Sequence, residues 1–196
     1  RGVDAAGIEA VRVRVYEGSA CAMTKHPDDR VAGISSVSAE NYIKTIFHLE
    51  QDTPNTIVKT KAIAEALDLA QPSVTSMLKT LASTGQIDYQ PYQGVRLTDQ
   101  GRRTALSIIR RHRLIEVFLI ETLGFHWDEV HDEAEQLEHA LSDRVTDRLE
   151  AFLGYPAFDP HGDPIPNREG RFPSMDAYPL VSVQAPAKVT IAQVID

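Results

Sequence analysis

Four residues in the stretch VHDEAEQLEHALSDRVTDR, residues 130–148, combine imidazole nitrogen and carboxylate oxygen at helical spacing. His131, Glu135, Glu138 and His139 stand at i, i+4, i+7 and i+8, which at about 100° per residue puts them on one helix face. Neutral nitrogen and anionic oxygen donors converging in this way suit a divalent transition metal. A Glu-rich helix is otherwise a solvated one, and the two histidines within the stripe set this stretch apart. Upstream, His112 and Glu116 lie at i, i+4 and share a face of their own helix.

The elements that must position these residues are mainly helical. Ser38-Ala39-Glu40-Asn41 opens a helix whose apolar side is Tyr42, Ile43, Ile46, Phe47 and Leu49, with Pro54 closing the segment. TKAIAEALDLAQPSVTSMLKTLASTGQI reads as two helices around a tight break: Ile63, Ala64 and Leu67 on the first, then Val74, Met77, Leu78 and Leu81 on the second, with Pro72 in its first turn and Gly85 stopping it. That is a helix-turn-helix. QIDYQPYQGVRLTDQGR alternates about Tyr92-Gln93-Gly94 and predicts a β-hairpin, which completes a winged helix. Thr98 caps a long helix that ends near Gly124, and a last helix is expected to run unbroken from about residue 130 to Gly154. These two helices carry more apolar surface than they can bury on each other, so a symmetric partner is expected.

Charge is divided along the chain. Although the net charge is −8, the stretch 59–113 holds nine basic residues against four acidic, whereas 114–150 holds eleven acidic residues against Arg144 and Arg148. The first half suits an anion such as DNA and the second a cation. No apolar run approaches the roughly 20 residues of a membrane span, and no signal peptide is evident, so a cytoplasmic location is expected. A single cysteine, Cys21, excludes an internal disulfide or a thiolate zinc cluster. Residues 1–35 are expected to be mostly a disordered extension, although VRVRVYE alternates like a short strand. Seven of the eleven prolines fall between Pro156 and Pro186, which marks a linker or irregular arm, and LVSVQAPAKVTIAQVID alternates like strands.

The motifs ENYIKTIFHLE, QPSVTSMLKTL, LTDQGR, RRHRLIEVFL, VHDEAEQLEHALSD and GDPIPN occur in that order over residues 36–170. In them the chain resembles the metal-dependent transcriptional regulators of the diphtheria toxin repressor and manganese transport regulator type. The resemblance implies a mainly α protein: a winged helix-turn-helix over 36–107, a helical metal-binding and dimerisation domain over 108–155, and a Pro-rich arm over 156–196 whose alternating end is either the start of an SH3-like β domain or an edge ribbon. It also implies two metal sites per subunit, with His112, Glu116 and His131 in one, and Asn41, Glu135, Glu138 and His139 in the other. Glu135 is the choice of manganese-responsive members, whereas Asn41 matches neither the Asp of the manganese type nor the Met of the iron type. The implied corepressor is therefore Mn(II) or Fe(II).

On this reading the partners are double-stranded operator DNA and a second copy of the chain. Gln71, Pro72, Ser73, Thr75 and Ser76 would meet bases, and Lys79, Arg96, Arg102 and Arg103 would meet phosphates. Two other readings are a metal-dependent hydrolase with a dinuclear site and a metal-independent winged-helix regulator. The chain has no phosphate-cradling glycine loop, which weighs against an enzyme. His48, His126 and His161 lack spaced partners and read as surface or packing residues, as does Trp127.

Overall fold

A computed structural model describes residues 12–14, 37–52, 57–174, 177–179 and 191–193. Helix α1, Val37–Asp52, buries Tyr42, Ile43, Ile46 and Phe47, the apolar side expected of it. Helices α2, Thr60–Ala66, and α3, Gln71–Ser83, follow with the expected tight break. Asp68 takes a positive φ there, and the Leu69 amide donates to the Ala64 carbonyl, so the chain reverses in four residues. Ile63, Val74, Leu78 and Leu81 are essentially sealed from solvent and join α1 in one core.

The hairpin pairs β2, Ile87–Gln90, with β3, Gly94–Leu97, placing Asp88 opposite Arg96. Val58 adds a single bridge to Val95 on the other edge of β3. Gly94 is required there, because a Cβ would lie 2.4 Å from the Val58 carbonyl oxygen and φ is +134°. Helix α4, Asp99–Glu121, is capped by Thr98, whose hydroxyl accepts from the Gly101 amide at 3.1 Å. Its first half closes the winged-helix core with Ala105, Leu106 and Ile109, and its second half supplies Ile115 and Leu119 to a separate cluster with Val130 and Ala134. One helix therefore spans both units.

The last expected helix is two helices. Helix α5, Val130–Leu137, stops after two turns, and α6, Asp143–Phe152, begins afresh with Ser142 as its N-cap accepting from Val145. The physical reason lies in α4: Arg111 donates through Nη1 to the carbonyls of Glu138 and Leu141, at 3.1 and 3.3 Å, and so satisfies groups that a continuous helix would have used internally. Apolar periodicity continues through Leu141 and Leu149, which is why the sequence reads as one element.

The Pro-rich arm is irregular but packs closely on α4. Ile165 is buried with Leu114 and Val117, and Arg113 donates to the Pro164 carbonyl at 2.5 Å. Strands β1, Arg12–Arg14, β4, Ala177–Pro179, and β5, Ile191–Gln193, form an antiparallel sheet in the order β4-β1-β5. A strand thus stands at VRVRVYE, within the extension. The remainder of residues 1–35, with Cys21 and His26, lies outside the described residues, as do Pro54 and most of 180–196. Among the described residues no helix is long and apolar enough to cross a membrane.

Candidate metal centre

The side chains of α4, α5 and the turn after it meet in a buried polar cluster. Glu135, Glu138 and His139 can each offer one donor atom within 4.8 Å of the others. Glu138 is completely buried at the C-terminal cap of α5, and His139 follows it in the turn. The break between α5 and α6 therefore belongs to the site, because it carries His139 towards α1. There Glu40 accepts a hydrogen bond at 2.7 Å from Nδ1 of His139 when that nitrogen carries the proton, which leaves Nε2 as a lone-pair donor. Nε2 is buried without a hydrogen-bonding partner.

Lys44 of α1 reaches this cluster, and Asn41 stands one turn before it on the same helix. The Lys44 ammonium donates to Glu135 and, at 2.8 Å, to Glu138. Asn41, which residue spacing alone does not single out, has its Oδ1 buried and unpartnered. It lies on the wall of a cavity of about 550 Å³ shared with Ser73, Ser76, Met77 and Thr80 of α3. Orphaned buried acceptors are costly in a folded protein; here His139 Nε2, 3.4 Å from Glu138 Oε1, is left without a hydrogen bond beside two carboxylates, and the Asn41 oxygen is a second such acceptor on α1. That donor set fits a divalent ion taking nitrogen and oxygen ligands.

His112, Glu116 and His131 also come together. His112 Nε2 lies 3.1 Å from Glu116 and 3.2 Å from His131 Nδ1, while its Nδ1 lies 2.6 Å from Glu138. His112 therefore joins the two expected ligand groups. Burial opposes its charged form, but hydrogen bonds to Glu116 and Glu138 outweigh this and raise its pKa to about 9. For Glu116 burial likewise favours the neutral acid, and hydrogen bonds from His112, His131 and His161 overcome it and hold the carboxyl well below the usual range.

His161 departs from its expected surface or packing role. It is buried on the Pro-rich arm and forms, with Glu116 and Asp159, a third group able to hold an ion. Asp159 is pushed up to about 7 by burial and then by the neighbouring Asp163 carboxylate. Asp159 Oδ1 also accepts from the amides of His161 and Asp163, at 2.9 and 2.8 Å, which shapes the loop. The spacing Asp159-x-His161-x-Asp163 was the available signal, but periodicity has no hold on an irregular segment. Trp127 lies against His161 with ring centroids 4.9 Å apart and stays 45% exposed.

Helix α3 presents Gln71, Pro72, Ser73, Ser76 and Lys79 to solvent, with Thr75 half-buried. Thr75 donates back to the Gln71 carbonyl at 2.9 Å, so its hydroxyl is partly engaged within the helix. Arg96 on β3 and Arg103 on α4 are exposed. Arg102 is engaged by Glu50, with Nη2 2.5 Å away and its guanidinium over the Phe47 ring, while its side chain stays 42% exposed. Arg110, Arg111 and Arg113 serve the interior: buried Arg110 binds Asp147 and Glu150, and Arg113 faces Asp159 and Asp163. The basic excess of 59–113 is therefore only partly available to DNA.

Comparison with known proteins places this geometry. Residues 36–95 match the family described as iron dependent repressor, N-terminal DNA binding domain, and residues 98–167 match iron dependent repressor, metal binding and dimerisation domain. An uncharacterized HTH-type transcriptional regulator of Methanocaldococcus jannaschii is 37% identical over 118 residues, 60% of this chain and 94% of that protein. The iron-dependent repressor IdeR of Mycobacterium tuberculosis is 35% identical over 129 residues, 66% of this chain. The chain spans 55% of that repressor's length. Among solved structures, a manganese-dependent transcriptional repressor in complex with manganese is similar with a TM-score of 0.67 and 45% identity, over 74% of this chain and 66% of that one. With both family domains matched in order around a winged helix and a buried donor cluster, the chain belongs to the iron-dependent repressor family of metal-dependent transcriptional regulators.

Proposed function

We propose that this chain is a repressor whose affinity for a palindromic operator is raised by Mn(II) or Fe(II). The observation that carries the reading is the group Glu135, Glu138 and His139, set beside an α1 that offers an unpartnered buried Asn41 oxygen. A bound divalent ion would supply a cross-link between α1 and the turn after α5. Asn41 Oδ1 would anchor the DNA-binding unit, while Glu135, Glu138 and His139 Nε2 would anchor the dimerisation unit. His112, Glu116 and His131, with Asp159 and His161, are read as a second site. The absence of thiolate or thioether from these donors favours Mn(II).

Fixing α1 fixes how the two recognition helices are carried in a dimer, about 34 Å apart, the spacing of successive major grooves. Gln71, Pro72, Ser73, Thr75 and Ser76 would meet base edges, and Lys79, Arg96 and Arg103 phosphates, with a lesser share for Arg102. Domain limits near 36–107 and 108–155 and a cytoplasmic location accord with this role, which is regulatory rather than enzymatic. Binding to candidate palindromic operators at one stated salt concentration tests it. Mn(II) should tighten binding at least tenfold, the size of a coupling of about 1.4 kcal/mol, and Glu138→Ala should abolish the gain while the protein stays folded. Equal operator affinity with Mn(II) and with chelator would refute the proposal.

A further inference from the structure

The Lys44 ammonium occupies a position that no ligand role explains. It reaches from α1 to Glu135 and Glu138 together, with its side chain 12% exposed and that of Glu138 not exposed at all. Two carboxylates packed side by side, Glu138 sealed from solvent and Glu135 a third exposed, repel each other and lose hydration, and a positive charge between them offsets both costs. Lys44 thus neutralises the same pair of groups that a divalent ion would need. The two cations cannot both remain within hydrogen-bond distance of these oxygens, because like charges at such separations in a poorly solvated site repel strongly.

We infer that Lys44 is a built-in competitor for the metal: its ammonium holds Glu135 and Glu138 in the metal-free protein, must withdraw when an ion binds, and thereby sets the ion concentration at which the regulator responds. This rests on the metal-dependent reading above and adds a residue that lowers affinity rather than providing it. Apparent affinity falls in proportion to the fraction of molecules in which the competitor has withdrawn. Lys44 also ties α1 to α5 in the metal-free state, so the ion replaces an existing interdomain link rather than creating one. A structural ion pair without competition would hold the two helices together and leave the ion's affinity unraised when removed.

The test uses the full chain, stripped with chelator, and measures Mn(II) binding by titration calorimetry and thermal unfolding with and without Mn(II). Lys44→Met keeps the stem and removes the charge. It should tighten Mn(II) binding by about tenfold or more and lower the Tm of the metal-free protein, with the Mn(II)-saturated Tm close to that of the wild type. Lys44→Arg keeps a cation and should return the affinity towards the wild-type value. Should Lys44→Met fail to fold without metal, Lys44→Gln in the same titration carries the comparison. Mn(II) binding that is unchanged or weaker in the neutral variant overturns the inference while leaving the repressor reading intact. Failure of the wild type to bind Mn(II) overturns both.

Discussion

Between Glu116 and Glu138 the imidazole of His112 engages both ring nitrogens, 3.1 and 2.6 Å from carboxylate oxygens, and these bonds give the metal-free site a definite pH response. The pKa of His112 is raised to about 9, so its contribution to stability is fully present below its ordinary value of 6.5 and is lost as pH rises through 9. Glu116 and Glu138 are depressed, so their contributions are present above 4.5 and are lost as pH falls below it. Asp159, raised to about 7, withdraws stability as pH rises towards 7, so the His112 contribution is read above that: the metal-free protein should lose roughly 2 kcal/mol between about pH 7 and 9 as His112 deprotonates. In His112→Gln that alkaline decline should largely disappear, and calorimetric scans in chelator across this range check it. His112, Glu116, Glu135, Glu138 and His139 were legible because helical spacing groups them. Glu40 and Lys44 were not, since their partners lie 91 to 99 residues away in the chain.

Element by element, apolar periodicity and capping residues placed α1, α2, α3, the hairpin and α4, because each carries its own stop signal and a single buried face. The division between α5 and α6 escaped this reading because Arg111 acts from outside the segment. Gly101 is a second long-range constraint: a Cβ there would stand 2.0 Å from the Gln86 carbonyl oxygen. Alanine is preferred over glycine within a helix by about 1 kcal/mol, but that gain is local and the collision involves backbone. Gly101→Ala should consequently destabilise the winged helix by about 1–3 kcal/mol, displacing α4 from the hairpin, with denaturant titration as the measurement. A more stable variant would mean that the backbone around Gln86 yields freely.

At the scale of the whole molecule, the second unit leaves large apolar groups uncovered. Val145 is 52% exposed and Phe152 67%, with Leu123 and Trp127 also open to solvent. Leu141 and Leu149 instead pack partly inward, against the cluster of Ile115, Leu119, Val130 and Ala134, so they contribute less to an outer face than their periodicity indicates. A dimer that covers this side should be sensitive to Phe152→Asp, which ought to shift the protein towards monomer in sedimentation and weaken operator binding while the secondary structure is retained. An unchanged dimer would move the interface elsewhere.

Local sequence signals suffice for the winged helix, the long helix shared by both units and the nitrogen–oxygen chemistry of the centre. Those properties reside in local periodicity, capping and residue type, which act over a few turns of chain. Which residues share a site depends on tertiary contacts: the joining of both ligand groups through His112, the arrival of Asp159 and His161 from the Pro-rich arm, the pairing of Arg102 with Glu50, the burial of Arg110, and the ammonium of Lys44 between two carboxylates. Each is a contact between distant parts of the chain, formed because buried charge must find a partner wherever packing brings one.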